Sequence, residues 1–438
     1  MKERMLSLVG FSTQRNSLKT EILAGLTTFV TMSYILALNP VMFAPLAERG
    51  YPIGALFTAT ALAATIGSLL MAFLAKRPIG QAPGLALNIF FVQTVCVSLG
   101  YSWRFALTAV LIEGILFVLL CVSNIRQIIF DMIPPSLKFA FAAGIGFFIA
   151  MIGFKNSGIL AEGTIFNHIE TLTSPSSILF TVGILLAGIL TVMRVRGGLL
   201  LSIIAISLIG IPFGVTKLPD SLFSIPASPA PLLCQFSWNE LLTPDLWVCV
   251  VTMLFFDVFD TLGSVVGLMA NAGLIRKNGR IPNMRSIMLS DALGTITGAC
   301  LGCSTVTTYV ESAVGVSEGG RTGLTALVIG LCFLCSLFLA PLFLAIPSAA
   351  TAPVMVIAGF YLFSSVRHIN LSKPVETLPA FLTILLMPVS GSITDGIIAG
   401  LFTYVAFSFI HGWINRKNTN SDTDTDTDAD TDADTDLV

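Results

Sequence analysis

The chain reads as long apolar runs separated by short polar breaks. About 20 apolar residues span a bilayer, and on that ruler fourteen segments fall at 21–43, 54–75, 81–99, 103–123, 136–155, 176–194, 198–214, 245–273, 286–303, 304–320, 322–346, 350–366, 377–393 and 395–414. The pattern predicts an all-α polytopic membrane protein. A polar, Pro-containing linker, 215–244, separates a first group of seven segments (21–214) from a second (245–414). An odd number in each half gives the halves opposite orientation, so the chain is predicted to be two inverted 7-segment repeats.

The third segment of each half departs from helical periodicity. Segment 3 opens Gly80-Gln-Ala-Pro-Gly-Leu-Ala-Leu-Asn88, where Pro83 and Gly84 break helix continuity. Segment 10 opens Cys303-Ser-Thr-Val-Thr-Thr-Tyr-Val-Glu311, whose β-branched residues favour an extended backbone, and Gly315, Gly319 and Gly320 weaken any long helix after it. Each is predicted to be a short extended piece leading into a half-helix, with the two half-helices meeting near the midplane. Irregular backbone at membrane depth survives only where protein or a water-filled cavity satisfies its N–H and C=O groups. A binding cavity is implied.

Composition agrees with this reading: 55% of the 438 residues are hydrophobic, 11% are charged, and the mean hydropathy is +0.88. With the N-terminus inside, all of the 23 Lys and Arg except Arg49, Arg104, Lys155 and Lys217 fall in inside segments. Treating 81–99 or 304–320 as loops would invert every later segment and spoil this asymmetry, so both are predicted to cross. Both termini are then cytoplasmic, in an integral protein of the plasma (cell inner) membrane. Residues 1–20 read as a cytosolic lead-in without a signal peptide, and the acidic repeat within 415–438 as a disordered tail. The pairs Cys300/Cys303 and Cys332/Cys335 sit in apolar surroundings, and the three histidines are far apart. No metal or cofactor is expected, and nothing points to nucleic acid.

Candidate chemistry lies in intramembrane carboxylates. Asp257, Asp260, Thr261 and Ser264 share one face of segment 8 at helical spacing. Thr261 and Ser264 fit a polar packing stripe equally well, but carboxylates at that depth are costly unless they face a cavity or a partner. Asp291 in segment 9 and Glu311 in segment 10 add two more. Burial makes Asp257, Asp260, Glu311 and Asp291 candidates for carrying a coupling proton.

These stretches carry a resemblance. FFDVFDTLGSVVG, SDALGTITG, STVTTYVESAVGVSEGGRTGLTA and the opening EILAGLTTFVTMSYILALNP resemble the purine permeases of the nucleobase–cation symporter-2 (nucleobase–ascorbate transporter) family, above all its AzgA-like hypoxanthine, guanine and adenine permeases. The resemblance runs from about Leu18 to Trp413. It implies fourteen segments in two inverted repeats, a core domain holding the site, a gate domain, and proton-coupled purine uptake; the residues themselves leave sodium as the alternative coupling ion and a homodimer as an open assembly. Carried over by motif, the substrate site is Asn88, Asp257, Asp260 and Glu311, with Thr308 and Ser312 flanking the last. The uracil and xanthine branches have Asn where this chain has Ser312, which argues against those substrates.

The chemistry is consistent with that expectation. A neutral oxopurine presents ring N–H donors, and ionised carboxylates only accept. Asp257 and Glu311 are each expected to take one N–H, while half-helix amides of segments 3 and 10 serve O6 and ring nitrogens. Phe90, Phe256 and Tyr309 are candidates to pack on the base. Adenine-preferring relatives tend to carry Asn at the position of Asp257, so the DVFD form resembles the hypoxanthine/guanine type, with an adenine-preferring permease the alternative. An anion or bicarbonate exchanger is disfavoured by the acids and the want of an intramembrane cation. A channel lacks a ring-forming filter, and an intramembrane aspartyl protease would need a matched aspartate on a second helix.

Overall fold

Val306, Thr307 and Thr308 do form a strand. In the computed structural model, which describes residues 7–12, 17–123, 134–159, 173–195, 197–219, 221–271, 281–369, 372–391 and 393–426, β1 (Gln81–Pro83) and β2 (Val306–Thr308) pair antiparallel, with Gln81 opposite Thr308, Ala82 opposite Thr307 and Pro83 opposite Val306. Gly84 N donates to Thr305 O at 2.9 Å and Tyr309 N to Gly80 O at 3.1 Å, closing the ladder at both ends. The outer edges are covered by hydroxyls. Ser68 Oγ accepts from Gln81 N and donates to Gln81 O, both at 3.1 Å, and Thr295 Oγ1 donates to Val306 O at 3.1 Å. Strand edges are thereby satisfied where lipid would offer nothing.

Helices surround this ribbon. Segment 1 is Leu18–Met32 continued by Tyr34–Phe43; segments 2 to 7 are Ile53–Leu70, β1 with Leu85–Ile89, Trp103–Val122, Pro135–Asn156, Pro175–Val192 and Gly198–Gly210. Segments 8 to 14 are Pro244–Asn271, Met284–Leu301, β2 with Ser312–Ser317, Gly323–Ser336 continued by Ala340–Leu344, Ser348–Phe363, Pro374–Ser390 and Ile393–Asp426. Among the described residues, seven helices are long and apolar enough to be spans on those grounds alone. The others are shortened by breaks or diluted by polar residues. The last helix continues to Asp426, past the predicted end at 414 and into the acidic tail; 427–438 lie outside the described residues. Residues 211–219 and 221–243 form no helix or strand apart from a short 3-10 turn at Ala230–Leu232.

Packing shows the inverted repeat. Segment 2 packs on 11 as 9 packs on 4, segment 6 on 12 as 13 on 5, and segment 1 on 11 as 8 on 4. Each pair becomes its mate when seven is added to its first-half number and subtracted from its second-half number. Segments 2 with 9, 3 with 10 and 5 with 12 pair with their own repeat mates, as elements astride a two-fold axis must. Two groups result, 1–4 with 8–11 and 5–7 with 12–14, corresponding to a core and a gate.

Close approach at the axis depends on glycine. A Cβ on Gly67 would lie 2.9 Å from Val306 Cγ1, and one on Gly298 would collide with Ser304 O. Segments 2 and 9 therefore clamp β2 only because these positions carry no side chain.

Candidate functional site

The ribbon and the helices flanking it gather the intramembrane acids into one network. Asp291 is fully buried and accepts from Gln81 Nε2 at 2.7 Å, Thr261 Oγ1 at 2.5 Å and Thr308 Oγ1 at 3.1 Å. It ties segments 3, 8 and 10 to segment 9. Thr307 Oγ1 lies 3.2 Å from Thr261 Oγ1 and donates to Asp260 Oδ2 at 3.4 Å, linking Asp260 to the same network.

Asp257 lies one helical turn before Thr261. It is fully buried and accepts from Thr295 Oγ1 at 3.3 Å through Oδ2. Its second oxygen, Oδ1, has no donor, and its carboxyl is in hydrogen-bond contact with that of Glu113 in segment 4. Glu311, half-buried at the start of the tenth half-helix, accepts from Tyr34 Oη at 2.7 Å and interacts electrostatically with Asp260. None of these carboxyls bonds a Lys or Arg among the described residues.

Asn88 occupies a different position in this arrangement. Its Nδ2 donates to Asn39 Oδ1 at 2.6 Å, its Oδ1 accepts from Ser304 Oγ, and Asn39 Nδ2 continues to Thr60 Oγ1 at 2.6 Å. The amide therefore braces segments 1, 2, 3 and 10. Ser312 Oγ accepts from Gly80 N at 3.0 Å, and Tyr309 Oη donates to Pro83 O at 2.6 Å. Thr308, Ser312, Tyr309 and Asn88 all hold the ribbon in place. Only Asp260 and Glu311 among the acids of the predicted set retain partial exposure.

The tenth half-helix differs from expectation. It is six residues long, and the amides of Ser312, Ala313 and Val314 donate to Tyr309 O, Val310 O and Glu311 O in successive turns. Those three donors are not free for a ligand, and the turn packs tightly on segment 1, where a Cβ on Gly315 would collide with Thr28 Oγ1 and Ala24 O. Segment 3 keeps the predicted form, with Gly84 as its N-cap and a wider π-helical continuation over Phe90–Ser98. Phe90 and Phe256 face one narrow cavity between core and gate, closed on the gate side by Ile145 and Ile393.

Glu113, Tyr34, Gln81, Thr305 and Thr307 were not among the predicted residues. Glu113 alone had a legible signal, as the one carboxylate in the apolar run LTAVLIEGILFVLL, where the cost of burying charge marks a functional candidate. The others are ordinary polar residues whose importance depends on which strand or helix packs beside them. Tyr34→Phe should weaken substrate affinity roughly tenfold or more at unchanged expression, the value of one hydrogen bond to a charged acceptor at about 1.5–3 kcal/mol; transport assays over a substrate range will read it as a rise in KM.

The permease family model Xan_ur_permease matches residues 19–399. The chain is 42% identical over 396 residues to a putative permease of Methanocaldococcus jannaschii, covering 90% of each chain. It is 38% identical to a guanine/hypoxanthine permease of Bacillus subtilis, covering 89% of this chain and 91% of that one, and 35% identical to an adenine permease of Escherichia coli, covering 89% and 87%. In fold it is similar to the transmembrane domain of a cyanobacterial bicarbonate transporter, with a TM-score of 0.67 at 16% identity, covering 88% of this chain and 98% of that one. The likeness to the bicarbonate transporter is one of architecture alone. The family match and the relatives agree with the acid-lined ribbon between inverted repeats: the chain is an integral membrane permease, not an enzyme, and belongs to the nucleobase–cation symporter-2 family.

Proposed function

We propose that the protein imports hypoxanthine and guanine, with adenine weaker, by proton symport across the plasma membrane. The observation that carries this reading is the set of carboxylates around β2 with no cation bonded to them among the described residues, a constellation that accepts ring N–H donors and repels anions. Asp257 and Glu311 each accept one purine N–H, Asp260 stands between them, and Phe90 and Phe256 pack against the base. The three donors on Asp291 give it a bracing role, so the coupling proton is assigned to Asp257, Asp260 or Glu311. A relative that carries guanine and hypoxanthine and one that carries adenine are nearly equally similar to this chain; the preference stated here rests on Asp257, whose carboxylate suits the N1–H of an oxopurine better than the bare N1 of adenine.

Labelled hypoxanthine should accumulate in cells expressing the protein and stop accumulating when a protonophore is added. Uptake that survives the protonophore but needs sodium would replace the proton as coupling ion. Uptake of bicarbonate instead of purine would overturn the reading. The orientation follows from the basic residues: a reporter fused after Arg285 should be cytoplasmic, and one found outside would reverse the assignment.

A further inference from the structure

We infer that Glu113 and Asp257 hold one proton between them, and that Glu113 is the positioning residue that keeps the Asp257 carboxyl in place. The positioning role rests on the reading of Asp257 as a base-binding group; the shared proton does not. Both side chains are fully buried. Glu113 Oε2 accepts from Thr305 Oγ1 at 2.9 Å, and Asp257 Oδ2 accepts from Thr295 Oγ1. That leaves Glu113 Oε1 and Asp257 Oδ1, neither of which has a donor, on two carboxyls in hydrogen-bond contact.

Two ionised carboxylates in such contact repel strongly in a buried setting. A single proton removes the repulsion and satisfies both orphan oxygens, one as O–H donor and the other as acceptor, in a charge-assisted bond. Among the described residues no other group can satisfy both: the Thr307 hydroxyl also reaches Asp257, but its single hydrogen is shared with Asp260 and does not relieve Glu113. The other groups facing the pair are the acids Asp291 and Asp260 and the hydroxyls of Thr305, Thr295 and Thr307, with no cation among the described residues. Backbone geometry supports the approach: a Cβ on Gly114 would lie 2.8 Å from Ile296 Cγ1, so segment 4 reaches segment 9 closely enough to place Glu113 at β2. Each carboxylate oxygen has two lone pairs, so Asp257 keeps acceptor capacity for a base.

Glu113→Gln supplies a permanent N–H donor to Asp257, whereas Glu113→Ala supplies none. Hypoxanthine affinity should fall less than about threefold in the Gln variant and roughly tenfold or more in the Ala variant. The second readout needs no substrate. Infrared spectra of the purified protein at neutral pH should show a protonated-carboxyl C=O band, sensitive to deuterium exchange, that is lost in Glu113→Gln. Loss of the band while no purine binds the wild type would leave the pair standing and remove the purine assignment. A band that persists unchanged in Glu113→Gln would overturn the shared proton, and equal weakening by Gln and Ala would overturn the positioning role. Should the Ala variant fail to fold, the infrared comparison of wild type and Gln decides.

Discussion

Glu311→Gln will reduce hypoxanthine uptake by roughly a hundredfold while the protein still reaches the membrane. The Tyr34 hydroxyl fixes the outcome, because it donates to Glu311 Oε1 at 2.7 Å. A glutamine there turns its carbonyl oxygen to Tyr34, which leaves the amide NH2 pointing where the carboxylate accepted a purine N–H. Losing a hydrogen bond to a charged acceptor and setting two donors face to face together cost about 3 kcal/mol, or roughly two powers of ten. The change is nearly isosteric, so folding should be spared. Near-normal uptake at matched membrane levels would refute the role given to Glu311.

Asp257→Asn will separate the purines from one another. Hypoxanthine and guanine offer N1–H, which a carboxylate accepts, whereas adenine offers N1 as acceptor beside an amino group, which an amide suits. An unpaired buried polar group costs about 1–3 kcal/mol, so hypoxanthine affinity should fall roughly tenfold or more and adenine affinity less. Within the protein the amide can still donate to Glu113, and Thr295 keeps an acceptor on the side chain, so the fold tolerates the change. Competition of labelled hypoxanthine by unlabelled adenine, guanine, xanthine and uracil gives the ranking. If adenine competes best against the wild type, or the Asn variant weakens all purines alike, the assignment of Asp257 is wrong.

Much of the architecture was legible in the sequence because membrane folding uses coarse signals. Segment length, the count of seven and seven, and the breaks at Pro83-Gly84 and after Cys303 all follow from the cost of exposing backbone to lipid. Pairing of β1 with β2 was not predicted, since it depends on two segments more than 200 residues apart meeting in one register. The site was legible in part for the same reason. Asp257, Asp260, Asp291 and Glu311 stood out as buried charge, but their division of labour came from partners that sequence does not reveal. Asp291 is surrounded by three donors supplied by Gln81, Thr261 and Thr308, whereas Asp257 faces a second acid. Asn88 was assigned to substrate by motif, and its amide is taken up by Asn39 and Ser304. The half-helix amides of segment 10 failed as expected ligand donors because a six-residue turn spends them on its own carbonyls.

Equilibrium binding of hypoxanthine to the purified protein, by titration calorimetry in detergent or nanodiscs, measures the proposed site without the complications of coupling or energisation. Two charge-assisted hydrogen bonds at about 1.5–3 kcal/mol each, added to packing on Phe90 and Phe256, predict micromolar affinity in the wild type. The Glu311→Gln protein, folded and purified in parallel, should give no measurable heat over the same range. Equal binding by the two proteins, or no purine binding by a wild type that is demonstrably folded, would contradict the assignment of Glu311 and its neighbouring aspartates to a purine.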